Sequence, residues 1–227
     1  MLLSRQLEKI RKELLHMGAL CEESVDCSVR AILTRDADLA RKVIDNDDQI
    51  DDAEIELEEE CLHALALYQP VAFDLRYLVA VLKINSDLER IGDLAASLSE
   101  AAVMLASRPA SVEIPFDLAG MSRTVQEMLH KSLNALVNLD VKLAAEVRAQ
   151  DDIVDDIHRG VYEAVQKMIQ NDPRSAELAI AYLGLSRKLE RMADHATYIA
   201  RDVVCLTEGD FSSYHPRSDK ESPAKQP

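Results

Sequence analysis

Residues 88–95 read LERIGDLA, and residues 189–196 read LERMADHA. A second pair of stretches echoes in the same way, with NDDQIDD at 46–52 answered by QDDIVDD at 150–156. The LER copies are offset by 101 positions and the acidic copies by 104. So small a difference is absorbed in turns, where chain length changes at little cost. A repeat of about 100 residues is too long for a solenoid unit of roughly 20–50. It is the length of a small bundle. Any fold for this chain must therefore be built twice from the same plan.

The unit reads as helical. Six glycines and seven prolines among 227 residues are few, and Leu, Ala, Glu, Asp, Lys and Arg dominate. Leu7, Ile10, Leu14, Met17, Cys21 and Val25 step by three or four, the seam of a long first helix. It breaks at TRDAD, where Asp36 suits an N-cap. A second helix follows to about Tyr68. A third opens with Pro70 in its first turn and runs to about Ser107. The order then recurs: a helix from about Phe116 to Val137, one from Val141 to Gln170 behind Asp140, and one after Pro173 to about Leu206. The expected fold is all-α, two tandem three-helix bundles from an internal duplication, with six long antiparallel helices. The expected divisions are a first bundle at 1–108, a linker at 109–115, a second bundle at 116–208 and a disordered tail at 209–227.

The formal charge of −15 argues against a nucleic-acid partner, because binding a phosphate backbone rests on Lys and Arg. Ten acids and no bases fall within residues 45–60. Four cysteines, none in a CxxC pair, suit a reducing compartment. The N-terminal MLLSRQLEKIRKELL carries charges every few residues, unlike a signal peptide, and no run of 18 apolar residues appears. A cytoplasmic protein without direct membrane insertion is expected.

The repeated acids have helical spacing. Glu89 and Asp93 are four apart and share a face, with Leu88 and Ile91 directed to the core. Glu190 and Asp194 repeat this. On the preceding helix of the first half, Asp47, Asp51, Glu54 and Glu58 are spaced 4, 3 and 4; in the second half the band is Asp151, Asp155 and His158, with Tyr162 in the place of Glu58. Like charges at i,i+4 repel by a few tenths of a kcal/mol per pair, so something positive should offset them. Arg90, Arg191, Lys83 and Lys188 are candidates, which would make the stripes a salt-bridged face. The other candidate is a metal. Oxygen donors with at most one imidazole suit Mg, Mn, Ca or iron, and carboxylates can bridge several ions. Asp48, Asp52, Asp152 and Asp156, one position round the helix, stay open as further ligands. Glu13/His16, Glu60/His63 and Glu127/His130 raise a di-iron enzyme, but they do not occupy equivalent places in the halves, as paired Glu-x-x-His ligands require. A metal-free helical adaptor is the other alternative. No GxSxG, Gly-rich phosphate loop or HExxH is present. His195, about 100° round from Asp194, is expected on the surface or between bundles.

QPVAFDLRYLVAVLKINSDLERIGD (69–93) resembles the signature of the PhoU family, and PRSAELAIAYLGLSRKLERMAD (173–194) resembles its second copy. The resemblance covers roughly residues 5–208. It implies two three-helix bundles side by side in a cytoplasmic protein with no reaction of its own. It implies control of phosphate uptake, with the ATP-binding subunit of the phosphate ABC importer and the phosphate sensor histidine kinase as partners. It implies a homodimer and multinuclear metal clusters, iron first, with zinc, manganese or magnesium as the others, held by E/D-xxx-D motifs. Those motifs are here Asp47/Asp51, Glu89/Asp93, Asp151/Asp155 and Glu190/Asp194. The pattern is not symmetrical: His158 stands opposite Glu54, and AELA (176–179) replaces DLRY (74–77), so the two sites are expected to differ.

Overall fold

In a computed structural model, residues 2–108 and 114–209 are described, and they form six long helices with no strand among them. These are α1 (Leu2–Thr34), α2 (Ala37–Tyr68), α3 (Ala72–Ala106), α4 (Leu118–Asn138), α5 (Val141–Asn171) and α6 (Ala176–Glu208), with a 3₁₀ turn at Pro173–Ser175 before α6. Most of the expected linker, and the expected tail beyond Gly209, lie outside the described residues.

The breaks are chemically explicit. Asp36 and Asp140 hold equivalent places in the two halves, and each caps the next helix by accepting two backbone N–H groups. Replacing either with Ala is expected to lower stability by about 1 kcal/mol, read as a shift in urea midpoint at constant slope. The α2–α3 turn differs from the expected one. Pro70 lies before the helix, not in its first turn: Val71 is the N-cap and α3 begins at Ala72. Val71 is extended, at φ −127° and ψ 166°, which keeps Pro70 out of the helix. Gln69 leaves the right-handed region, takes φ 45°, and its N–H closes α2 onto the Leu65 carbonyl.

Helices α1–α3 pack together, as do α4–α6, and the bundles meet side by side through α3 against α6 and α1 against α4. The predicted seam of α1 is buried at Ile10, Leu14, Met17, Cys21 and Val25. One continuous apolar core runs through both bundles. At the α1–α4 contact Gly18 leaves room for Leu133, whose Cδ1 would lie 2.6 Å from a Cβ there. Polar ties cross the same interface. His195 Nδ1 lies 2.8 Å from Asp87 Oδ1, and His130 Nδ1 lies 2.9 Å from Glu22 Oε1. The inter-bundle place expected for His195 is the observed one. Lys83, expected near the acidic stripe, points instead across the interface to buried Asp202 at 4.0 Å. Burial pushes the Asp202 carboxyl up to about 6, with Lys83 working against that shift.

Candidate functional site

The two stripes of each half come together where antiparallel helices pair, α2 with α3 and α5 with α6. In the first half the register is set by Asn85, whose Nδ2 donates to the Glu54 carbonyl at 2.8 Å. One and two turns on, Glu89 and Asp93 face Asp47, Asp51 and Glu54, and each group in that α2 set has its carboxyl raised in part by Asp93. Gly92 makes the approach possible: a Cβ there would lie 3.0 Å from Ile50 Cδ1 and 3.4 Å from Asp47 Oδ1. Glu89 is the more enclosed acid of α3, its side chain 15% exposed against 46% for Asp93.

Burial and crowding raise these acids together. Glu89 is pushed up to about 7, first by desolvation and then by Asp93, with Arg90 opposing. Asp47 is pushed up to about 6, first by desolvation and then by Asp51 and Asp93. Asp51 and Glu54 are raised for the same first reason. The offsetting cation is Arg90, with Nε 3.4 Å from Glu89 Oε2 and Nη1 2.9 Å from Asp93 Oδ2. The thiol of Cys21 sits behind the site, donates to the Leu88 carbonyl at 3.3 Å, and is raised chiefly by burial.

The second half repeats the arrangement with changes. Burial, then Asp194 and Asp155, push Asp151 up to about 6. Glu190 and Asp194 are raised, again by burial first. His158 occupies the place of Glu54, and its Nδ1 pairs with Ser186 Oγ at 2.9 Å, Ser186 being the counterpart of Asn85. The same cross-helix tie is thus rebuilt from different chemistry. Arg191, the counterpart of Arg90, forms no salt bridge among the described residues, although its charge partly offsets that of Asp194.

Among the described residues, no three His, Cys, Asp or Glu side chains are already gathered into a group that would seat an ion. The donor chemistry nevertheless suits a hard cation, because each site has more partly buried carboxylate than cation. Orphaned polar atoms point the same way. Asn85 Oδ1, one turn from Glu89, is buried with no partner, as is Thr197 Oγ1 on the face of Glu190 and Asp194. Sequence spacing missed these two, since their burial depends on the neighbouring helix.

Two of the three Glu-x-x-His glutamates bond across helices. Glu60 accepts from Lys9 and Gln6 of α1, both at 2.5 Å, and Glu127 accepts from Gln150 at 3.3 Å.

The PhoU domain model matches this chain twice, over residues 14–102 and 118–203. The chain is 32% identical over 205 residues to the Thermotoga maritima phosphate-specific transport system accessory protein PhoU homolog 1, covering 90% of this chain and 88% of that one. It is similar in structure to crystalline PhoU from Pseudomonas aeruginosa, with TM-score 0.88 and 34% identity over 91% of this chain and 99% of that one. The phosphate transport system regulatory protein PhoU from Streptococcus pneumoniae matches with TM-score 0.81 and 25% identity, over 92% of this chain and 98% of that one.

Proposed function

The chain belongs to the PhoU family, and from that premise we propose that it is a non-enzymatic regulator of phosphate uptake. It acts with the ATP-binding subunit of the phosphate ABC importer and with the phosphate sensor histidine kinase, holding the phosphate-starvation response off when phosphate is plentiful. It works as a cytoplasmic homodimer. No helix of the described residues is long and apolar enough to cross a membrane. The observation that carries the reading is the double PhoU match, with a carboxylate site on equivalent helix pairs of both matched segments.

Metal clusters are part of the proposal. Asp47, Asp51, Glu54, Glu89 and Asp93 would hold ions in the first half, and Asp151, Asp155, His158, Glu190 and Asp194 in the second. Iron leads the candidates, followed by zinc, manganese and magnesium. A bound cation supplies the positive charge that offsets the crowded acids and ties each helix pair together. The residues themselves set the sites apart: Arg90 spans two acids of the first, whereas imidazole replaces a carboxylate in the second. The Arg90 clamp also favours a second reading, a metal-free adaptor in which arginine alone neutralises the stripe.

Two measurements test this. In a bacterium lacking its own relative, the chain should restore repression of a phosphate-starvation reporter at high phosphate; continued derepression with the protein present at normal level would sink the regulatory reading. Metal analysis of protein purified without a chelating column should find ions in both halves. Glu89→Ala with Asp93→Ala should empty the first site while helicity is kept. Absence of metal after incubation with each ion leaves the adaptor reading in its place.

A further inference from the structure

Beyond its carboxylates, the α2–α3 groove continues toward the Gln69–Val71 turn as an apolar strip. Ile55 and Leu62, one heptad apart on the outer side of α2, are 54% and 52% exposed, and Leu75 and Val79 of α3 are 41% and 39% exposed. The Asn85–Glu54 register makes them one patch. Counting eight residues from that bond along each antiparallel helix puts Leu62 level with Tyr77, between Leu75 and Val79. Half-buried Leu65 and Leu82 lie between the two exposed rows and join them to the core. Exposed single apolar residues need no explanation, but four aligned across two helices do.

The rim of the strip is acidic. Asp52 and Glu59 flank Ile55 and Leu62 on one side, Asp51 and Glu58 on the other, and Glu89 and Asp93 close the far end. Arg90 is already committed to the last two. The second half keeps five of the six rim acids, as Asp155, Asp156, Glu163, Glu190 and Asp194, but loses most of the apolar strip and gains two arginines. Ile180 matches Val79 and Tyr162 is exposed beside it, but Arg159, Gln166 and Arg187 stand where Ile55, Leu62 and Ser86 stand in the first half. The acid-rimmed apolar groove thus belongs to the first half alone.

We propose that this groove is a docking site for a basic amphipathic helix of a partner protein. The partner's apolar face covers Ile55, Leu62, Leu75 and Val79, and its Lys and Arg side chains lie over the acids of the rim. Charge complementarity selects this occupant: a helix laid in a groove reads its target through i, i+3, i+4 and i+7 anchors, and like charge along the rim rejects acidic ones. The inference deepens the reading of the chain as a regulator that works through partners, and it needs no metal.

The test uses two synthetic peptides of roughly 18 residues, about five helical turns. One has leucine at heptad anchor positions with lysine and arginine elsewhere; its twin has glutamate at every basic position. Fluorescence anisotropy is read at physiological salt in the presence of EDTA, so that metal loading plays no part. The cationic peptide should bind the native chain, and Leu62→Ser with Val79→Ser should weaken it by about tenfold or more. These variants keep every charge, so a peptide held only by the net negative charge would bind them equally, and that result overturns the proposal. Ile180→Ser in the second groove should leave binding unchanged; an equal loss there overturns it too. So does binding of the acidic twin. If Leu62→Ser with Val79→Ser instead converts a dimer to monomers in sedimentation, the groove is an interface between copies and the proposal falls. Derepression in the reporter strain alongside intact peptide binding would count against the regulatory reading and leave the groove standing.

Discussion

Metal-free protein should melt at a higher temperature near pH 5.5 than near pH 7.5, the reverse of a protein held together by paired carboxylates. Glu89 is raised to about 7, and Asp47 and Asp151 to about 6, with burial the largest cause in each case. A raised folded-state value means that the folded chain binds protons the unfolded chain has released. The associated stability is therefore fully present below the unfolded values near 4 and is lost as pH rises through 6 to 7. These groups are partly exposed, so solvent screening cuts the shift; between pH 5.5 and 7.5 this leaves about 1 kcal/mol for Glu89 and a few tenths for each of Asp47 and Asp151. Together they amount to about 1–2 kcal/mol, or roughly 3–6 °C in melting temperature for a chain of this size. Scanning calorimetry at the two pH values checks this. Asp47→Asn, Glu89→Gln and Asp151→Asn combined should raise the melting temperature at pH 7.5 and flatten the profile, leaving the smaller slope of Asp202, which has the same sign. A divalent cation should stabilise the native chain more at pH 7.5 than at 5.5, because protonated acids do not ligate. A melting temperature that climbs from pH 5.5 to 7.5 without metal would mean that arginine already neutralises the stripes.

The six helices, the cap at Asp36, the break at Asp140 and the pairing of the stripes are legible in the sequence because they depend on spacing along one helix. What escaped depends on a neighbour. Lys83 lies within two turns of Glu89, yet its side chain leaves for Asp202 of the other bundle. His158 reads as a ligand from its place in the stripe. Only the register of α5 against α6 shows that one of its nitrogens is already taken by Ser186, in a bond that replaces the one from Asn85 to Glu54. The sequence puts Pro70 in the first turn of α3, two residues ahead of the true start at Ala72, because a proline suits both the first turn of a helix and the turn before it. Local propensity does not choose between them; the left-handed conformation of Gln69 does.

The close contact beneath the first site leads to the other large effect. Gly92 and Ile50 face each other there, and their counterparts in the second half are Ala193 and Val154, both fully buried. One methylene-sized group has moved across the interface between the halves, with the total volume kept. Gly92→Ala alone adds a Cβ 3.0 Å from Ile50 Cδ1 and 3.1 Å from its Cγ2. Overpacking of this kind costs roughly 1–3 kcal/mol, and the better helix propensity of alanine returns about 1. Ile50→Val alone opens a small void, at about 0.5–1.5 kcal/mol. Together the two changes rebuild the packing of the second half, so the double variant should match or exceed the native chain. A double-mutant cycle by urea denaturation should then show a favourable coupling of about 1–3 kcal/mol. The same cycle reads the site. If the strain against Ile50 pushes α2 and α3 apart, Asp47 on the next turn of α2 moves away from Glu89 and Asp93, so Gly92→Ala should weaken any cation binding in the first half and Ile50→Val, which relieves that strain, should restore it. Additive stabilities with unchanged cation binding would show that α2 and α3 adjust freely at this point, and that Gly92 is not what holds Asp47 against Glu89 and Asp93.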